Sequence, residues 1–168
     1  MLLNLCRWLA ATRGSIALHQ SLWAYPIIES VHVLTLCLFL GFAVMLDLRL
    51  IGVTMRKTPV SQVASRLLPW TVAGFGIMVI TGALLFYAIP VKTYLNIFFR
   101  IKLVLLILSG LNAYLFHAGI YTRVKEWDLA PVPPWRARIA GGLSLTFWAC
   151  VVVAGRMIAY NWFDSSGI

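Results

Sequence analysis

The sequence predicts an all-α membrane protein, a four-helix transmembrane bundle preceded by an N-terminal amphipathic helix lying in the interface. Three observations carry that expectation. Of the 168 residues, 61% are apolar and 11% charged, against roughly 25% charged in soluble domains. So much apolar surface needs lipid as its solvent. The apolar residues gather in four runs, at about 27–48, 68–88, 97–120 and 139–160, each near the ~20 residues that cross a bilayer core. The first 24 residues differ, because Arg7 and Arg13 interrupt a moderately apolar stretch. Residues 1–24 are therefore one interfacial element and residues 25–168 the transmembrane domain.

In the N-terminal element no basic stretch precedes the apolar run, as a cleaved signal peptide would require. Trp8 and Trp23 suit headgroup level at its two ends. The connections between spans hold the basic residues. Arg49, Arg56, Lys57 and Arg66 follow span one, and Arg123, Lys125, Arg136 and Arg138 lie between spans three and four. The opposite side has Arg7, Arg13, Lys92, Arg100 and Lys102. Eight against five places both long loops in the cytoplasm and both termini outside, in a bacterial inner membrane. The segment "EWDLAPVPPW" is rich in proline and stops helix three from running on.

The net charge of +9 would suggest nucleic acid in a soluble domain. Here no basic stripe with interleaved aromatics lies outside the spans, so the expected surroundings are lipid and not nucleic acid. Cys6, Cys37 and Cys150 are scattered singly without a CxxC, which argues against a thiolate metal site or redox pair.

Polar residues inside the spans carry the functional information. In "YPIIESVHVLTLCLFLGF", Glu29 and His32 are one turn apart. At ~1.5 Å rise per residue, His32 falls roughly 6–8 Å below the outer boundary. Arg100 and Lys102 open span three, and Arg156 arrives near the outer end of span four. One outer layer thus holds Glu29, His32, Arg100, Lys102 and Arg156, with Asn96, Tyr160 and Asn161 nearby and His19 within reach. Ionisable groups at membrane depth tend to face a bundle interior or cavity. Taken singly, each has a bland account: the three cations can snorkel to the interface, and Glu29 and His32 can bond each other quietly. Together they leave excess positive charge, which suits heme propionates or quinone carbonyls. His117, in "LNAYLFHAGIY", differs from His32 in depth by roughly 18 Å. The two should not ligate one heme, and His117 belongs to a separate inner site or has no ligand.

Several chemistries fail on counting. Glu29-x-x-His32 is half of a di-iron motif, but the chain has too few acids for the rest. HExxH, GxSxG and a phosphate-binding glycine loop are absent. Copper with histidine and Met157 is the weaker metal alternative. A b-type heme fits best. His32 would be an axial ligand, with His19 as the second or a five-coordinate iron, and Arg100, Lys102 and Arg156 would steady the propionates. Glu29 would orient the imidazole by accepting its other N–H.

The stretches "HVLTL", "LLPWTVAGFGIMVITGALLF", "FFRIKLVLLILSGLNAYLFH" and "GRMIAYNWF" together resemble a family of small, uncharacterised bacterial inner-membrane proteins with four spans, over nearly the whole chain. More distantly, a histidine in span one and a lysine opening span three are similar to the HemJ-type protoporphyrinogen oxidases and to CopD-like copper-resistance membrane proteins. What the HemJ-type resemblance implies is a bound heme with His32 and Lys102 as the essential pair. The N-terminal helix, Glu29 and the loops depart from that pattern.

The leading expectation is a membrane heme protein that transfers electrons, with quinone or a redox partner, or anchors a redox complex. The alternatives are a non-catalytic subunit of a larger membrane complex, binding lipid or a neighbouring chain (a second copy of itself included), and a porphyrinogen oxidase.

Overall fold

The computed structural model describes residues 1–160, so Asn161 of the expected polar layer lies outside the described residues. Seven α-helices run in order: α1 (Leu2–Ala10), α2 (Arg13–Gln20), α3 (Ala24–Ile51), α4 (Val60–Ala88), α5 (Pro90–Leu95), α6 (Ile97–Leu115) and α7 (Trp135–Ile158). No strand occurs among the described residues. Past Leu115 the third span continues through a π-turn (Phe116–Ile120) and a 3₁₀ turn (Tyr121–Glu126). Four helices are long and apolar enough to cross a membrane: α3, α4, α7 and the continuous run Ile97–Glu126. The all-α four-helix bundle and its multi-pass character hold.

The N-terminal segment is two helices rather than one. It breaks after Ala10, and Thr12 caps α2 by accepting from the Ser15 amide. Polar side chains at the break dock the segment onto the end of α4: Ser15 Oγ donates to the Tyr87 carbonyl at 2.7 Å, and Thr12 Oγ1 lies 2.6 Å from the Tyr87 hydroxyl. Trp8 and Trp23 remain exposed.

α4 starts at Val60, several residues before the apolar run that marks it in sequence. The cause is a cap from a distant loop. Asp128 accepts from the Ser61 amide (2.7 Å) and the Ser61 hydroxyl (2.6 Å), a carboxylate placed where the first amides of a helix lack partners. Beside it Arg49, fully buried, donates from Nε to the Thr58 carbonyl (2.9 Å) and from a terminal nitrogen to the carbonyls of Ala130 (3.2 Å) and Asp128 (3.4 Å). One guanidinium thereby ties both long connections together. Gly52 ends α3 with φ of 86°, its amide returning to Leu48 and Arg49; this left-handed position is one glycine adopts without strain.

Around the bundle, α3 packs on both α4 and α7, and α7 packs on α6. A small residue allows the closest of these approaches. A Cβ on Gly141 of α7 would lie 3.0 Å from the Asp47 carbonyl oxygen and 3.2 Å from Leu50 Cβ of α3. α4 and α6 have no comparable backbone packing; their described link is a stacked ring pair, Phe86 and Phe99, 5.4 Å apart. The four helices therefore form an open arc, with its gap between α4 and α6.

Candidate functional site

The side chains that converge lie at the end of the bundle opposite the Arg49–Asp128 tie. His32, Thr81, Lys102 and Gly155 sit roughly 5 to 12 Å from the nearer ends of α3, α4, α6 and α7. His32 is half-buried on α3 and faces α4. Its Nδ1 lies 2.8 Å from Thr81 Oγ1. That hydroxyl is itself 2.8 Å from the Ile77 carbonyl and 3.3 Å from the Met78 carbonyl, the back-bond typical of threonine in a helix. Its one hydrogen is thus committed within α4, and its oxygen accepts from His32 Nδ1–H. The tautomer follows: Nε2 carries the lone pair. Opposite the ring stands Gly82, where a Cβ would lie 3.4 Å from His32 Cε1. The absence of a side chain there lets the ring edge lie close against α4.

Lys102 is the cation that turns inward. Its Nζ lies 3.6 Å from where a Cβ on Gly155 would be, so the ammonium rests against the backbone of α7. Membrane lysine without a side chain over it on the neighbouring helix can keep its long stem inside the bundle, and here glycine provides that room.

The other members of the expected layer are arranged differently. Arg100 is exposed; Nε donates to the Tyr94 carbonyl at 3.2 Å and the guanidinium lies 5.1 Å from the Tyr94 ring centre. Arg156 is exposed as well, bonded to the Tyr160 hydroxyl at 3.2 Å and 5.1 Å from the Tyr160 ring centre. Both are exposed arginines held by aromatic neighbours. Asn96 caps α6 through the Phe98 amide and reaches the Ile158 carbonyl. Glu29 is exposed on α3, and the expectation that it orients the imidazole is corrected: Thr81, from a different helix, makes that bond. The reason is directional. A side chain three residues back on the same helix points along the surface, whereas α4 presents a hydroxyl across the contact.

His19 is exposed on α2 and lines a cavity with Ser15, Pro90 and Lys92 to which α3 contributes nothing. The structure does not bring it to His32. His117 lies in the π-turn, its Nδ1 2.9 Å from the Ala113 carbonyl, and lines a different cavity that His32 does not reach. Among the described residues no group of three or more His, Cys, Asp or Glu side chains could hold a metal ion. Sequence reading missed Thr81, whose only signal was a hydroxyl and a glycine in succession inside an apolar span, "VITGALLF".

What remains among the described residues is one imidazole of fixed tautomer with no partner on Nε2, one inward cation, and two glycines against which the ring and the ammonium lie. That arrangement can donate a nitrogen lone pair and place a positive charge nearby. The chain matches no curated protein and no solved structure. Residues 19–161 do match the family described as "Family of unknown function (DUF6644)", and the chain, matched over most of its length, belongs to that family.

Proposed function

We propose that this chain is an integral-membrane b-type heme protein in which His32 Nε2 is an axial ligand, and that it carries electrons within the membrane or as a redox subunit. The observation that carries the reading is the hydrogen bond from His32 Nδ1 to Thr81 Oγ1. A ligating histidine is normally held through its other ring nitrogen by such an outer partner, which sets the ring plane and the lone pair. The donor chemistry fits heme, which asks of the protein one neutral imidazole and a cation for a propionate. His32 supplies the first and Lys102 the second. Bound heme would supply one-electron chemistry at its iron. The protein's own part is to fix the imidazole, hold the ammonium at the same depth and keep both surrounded by apolar helices. On the charge bias of the loops, this site would face the outer side of a bacterial inner membrane.

The direct test is the absorption spectrum of the protein purified after heme supplementation. A Soret band that His32→Ala abolishes and His117→Ala leaves in place is the expected result. A colourless protein, or a band that depends on His117 instead, would sink the proposal.

A second reading has one observation in its favour. Lys102 is the layer cation that turns inward, against Gly155 of α7, and the pair His32 and Lys102 is the one through which the chain resembles HemJ-type protoporphyrinogen oxidases. Rescue of a bacterial strain lacking that oxidase, lost on Lys102→Ala, would favour catalysis over electron carriage.

A further inference from the structure

The half of the bundle nearer the Arg49–Asp128 tie contains a cavity of about 240 Å³ that the heme reading does not use. Its walls come from α3, α4, α6 and α7, and it lies where α4 and α6 fail to pack on each other. The lining is mostly apolar, with Phe39 and Trp148 edge to face at 4.6 Å and Phe75 beside them. Within this apolar setting stands a carboxylate. Asp47 is 6% exposed, lines the cavity together with Ser144, and leaves Oδ2 buried with no hydrogen-bond partner. An unpartnered buried carboxylate oxygen is costly enough to call for an explanation.

Hydrogen accounting shows which ligand would satisfy it. Thr71 and Ser109, both lining the cavity, donate their single hydroxyl hydrogens to the carbonyls of Leu67 and Leu105, at 2.9 Å each. Asn112 donates to the Ala140 carbonyl at 2.9 Å. His117 donates from Nδ1 to the Ala113 carbonyl, which leaves Nε2 as an acceptor. Those hydrogens are committed to the backbone; Asn112 keeps a second amide hydrogen and Trp148 of the lining carries an indole N–H, while Asp47 Oδ2 is the buried oxygen without a partner. What that oxygen lacks is a ligand that brings a hydrogen.

We propose that this cavity binds the head of a lipophilic hydroquinone, one ring hydroxyl donating to Asp47 Oδ2. Three features select this class. The volume exceeds the roughly 150 Å³ cavity that accepts benzene, so a substituted ring fits. Acceptors on opposing elements, Asp47 on α3 and His117 beyond α6, suit a ring with hydroxyls on opposite sides. The head is neutral, so it enters an apolar cavity without the dehydration that an ammonium would suffer. The α4–α6 gap gives the tail a path to lipid. This site stands independently of the heme reading.

The test titrates purified protein in detergent with a decyl-substituted benzoquinol, its oxidised quinone and decylammonium, reading the ligand-induced rise in unfolding temperature. Saturable stabilisation by the quinol, in preference to the other two, is expected. Asp47→Asn, nearly isosteric, presents an amide donor or a weaker acceptor in place of the carboxylate. It should weaken quinol binding by roughly three- to tenfold, the effect of losing one hydrogen bond, and narrow or reverse the preference over quinone. Gly110 lines the cavity, and a Cβ there meets nothing within 4 Å. Gly110→Leu should therefore fill the space and abolish binding while the fold persists, which keeps the test open if Asp47→Asn does not fold. His32→Ala should leave quinol binding unchanged. Equal stabilisation by quinol and quinone, a preference for decylammonium, no saturable effect, or quinol affinity unaltered by both cavity variants would each overturn the proposal.

Discussion

At the scale of single residues, the distinction that matters is between a histidine and a histidine whose tautomer is set. A free imidazole in lipid divides its proton between two nitrogens, and only one form presents Nε2 as a donor of electrons. Thr81 removes that freedom because its own hydrogen is occupied by the Ile77 carbonyl. Thr81→Val keeps the shape and removes the acceptor. Its expected effect is a 10- to 100-fold loss of heme affinity, the usual range for outer partners of ligating histidines, read by heme titration of the apoprotein with the Soret band as signal. Unchanged affinity would reduce Thr81 to a packing residue. The same scale separates the cations. Arg100 and Arg156 each have an aromatic neighbour at the exposed surface, whereas Lys102 has the glycine-lined backbone of α7.

At the scale of elements, the ends of helices are held by residues far away in the chain. Asp128 stands at the start of α4 although it belongs to the connection before α7. Burial alone would raise its carboxyl. The Ser61 hydroxyl, the amides of Ser61 and Val60 and the Arg49 charge outweigh that and hold it below the usual carboxylate range. Linkage fixes the sign: with the folded value depressed, the unfolded chain binds the proton more readily, so stability rises with pH there. The contribution is complete above the ordinary carboxylate value of about 3.9 and disappears as pH falls through the lower folded value. Wild-type protein in detergent should accordingly lose more unfolding temperature between about pH 5 and pH 3 than Asp128→Asn does. Parallel acid profiles would show that Asp128 makes no such contribution. The split of the N-terminal segment into α1 and α2 belongs here too. Thr12 and Ser15 spend their hydroxyls on Leu9 and Tyr87, and the Ser15 bond fixes the segment to the end of α4.

At the scale of the whole molecule, an open arc of four helices depends on a few close contacts, of which α3 on α7 at Gly141 is the tightest described glycine contact with backbone. In lipid there is no hydrophobic gain from bringing apolar helices together, so close backbone approach through small residues carries association. Gly141→Ala drives a methyl to 3.0 Å from the Asp47 carbonyl and should cost about 1–3 kcal/mol, as overpacking does. Gly142→Ala, with nothing within 4 Å of its added carbon, is the matched control and should be near neutral. Comparing the two by thermal unfolding in detergent checks the packing: equal effects would mean that α3 and α7 are not pressed together there. The same arc explains the cavity, because helices that close on only three of four sides leave their polar interior positions facing a gap.

The sequence by itself determined that this chain lives in a membrane, that it crosses four times in helices, and that His32 and Lys102 fall at a shared depth. Those properties are local or one-dimensional: apolar length, helical rise and the position of a charge along a span. Only the tertiary structure decided which side chains meet. It replaced Glu29 by Thr81 as the partner of His32, turned Lys102 inward while Arg100 and Arg156 stayed outside, kept His19 in a separate cavity, and showed Asp47 buried with an oxygen unpartnered. Depth in a bilayer can be counted along one helix. The rotation of each helix about its axis cannot, because it is set by how small residues on neighbouring helices allow their backbones to approach.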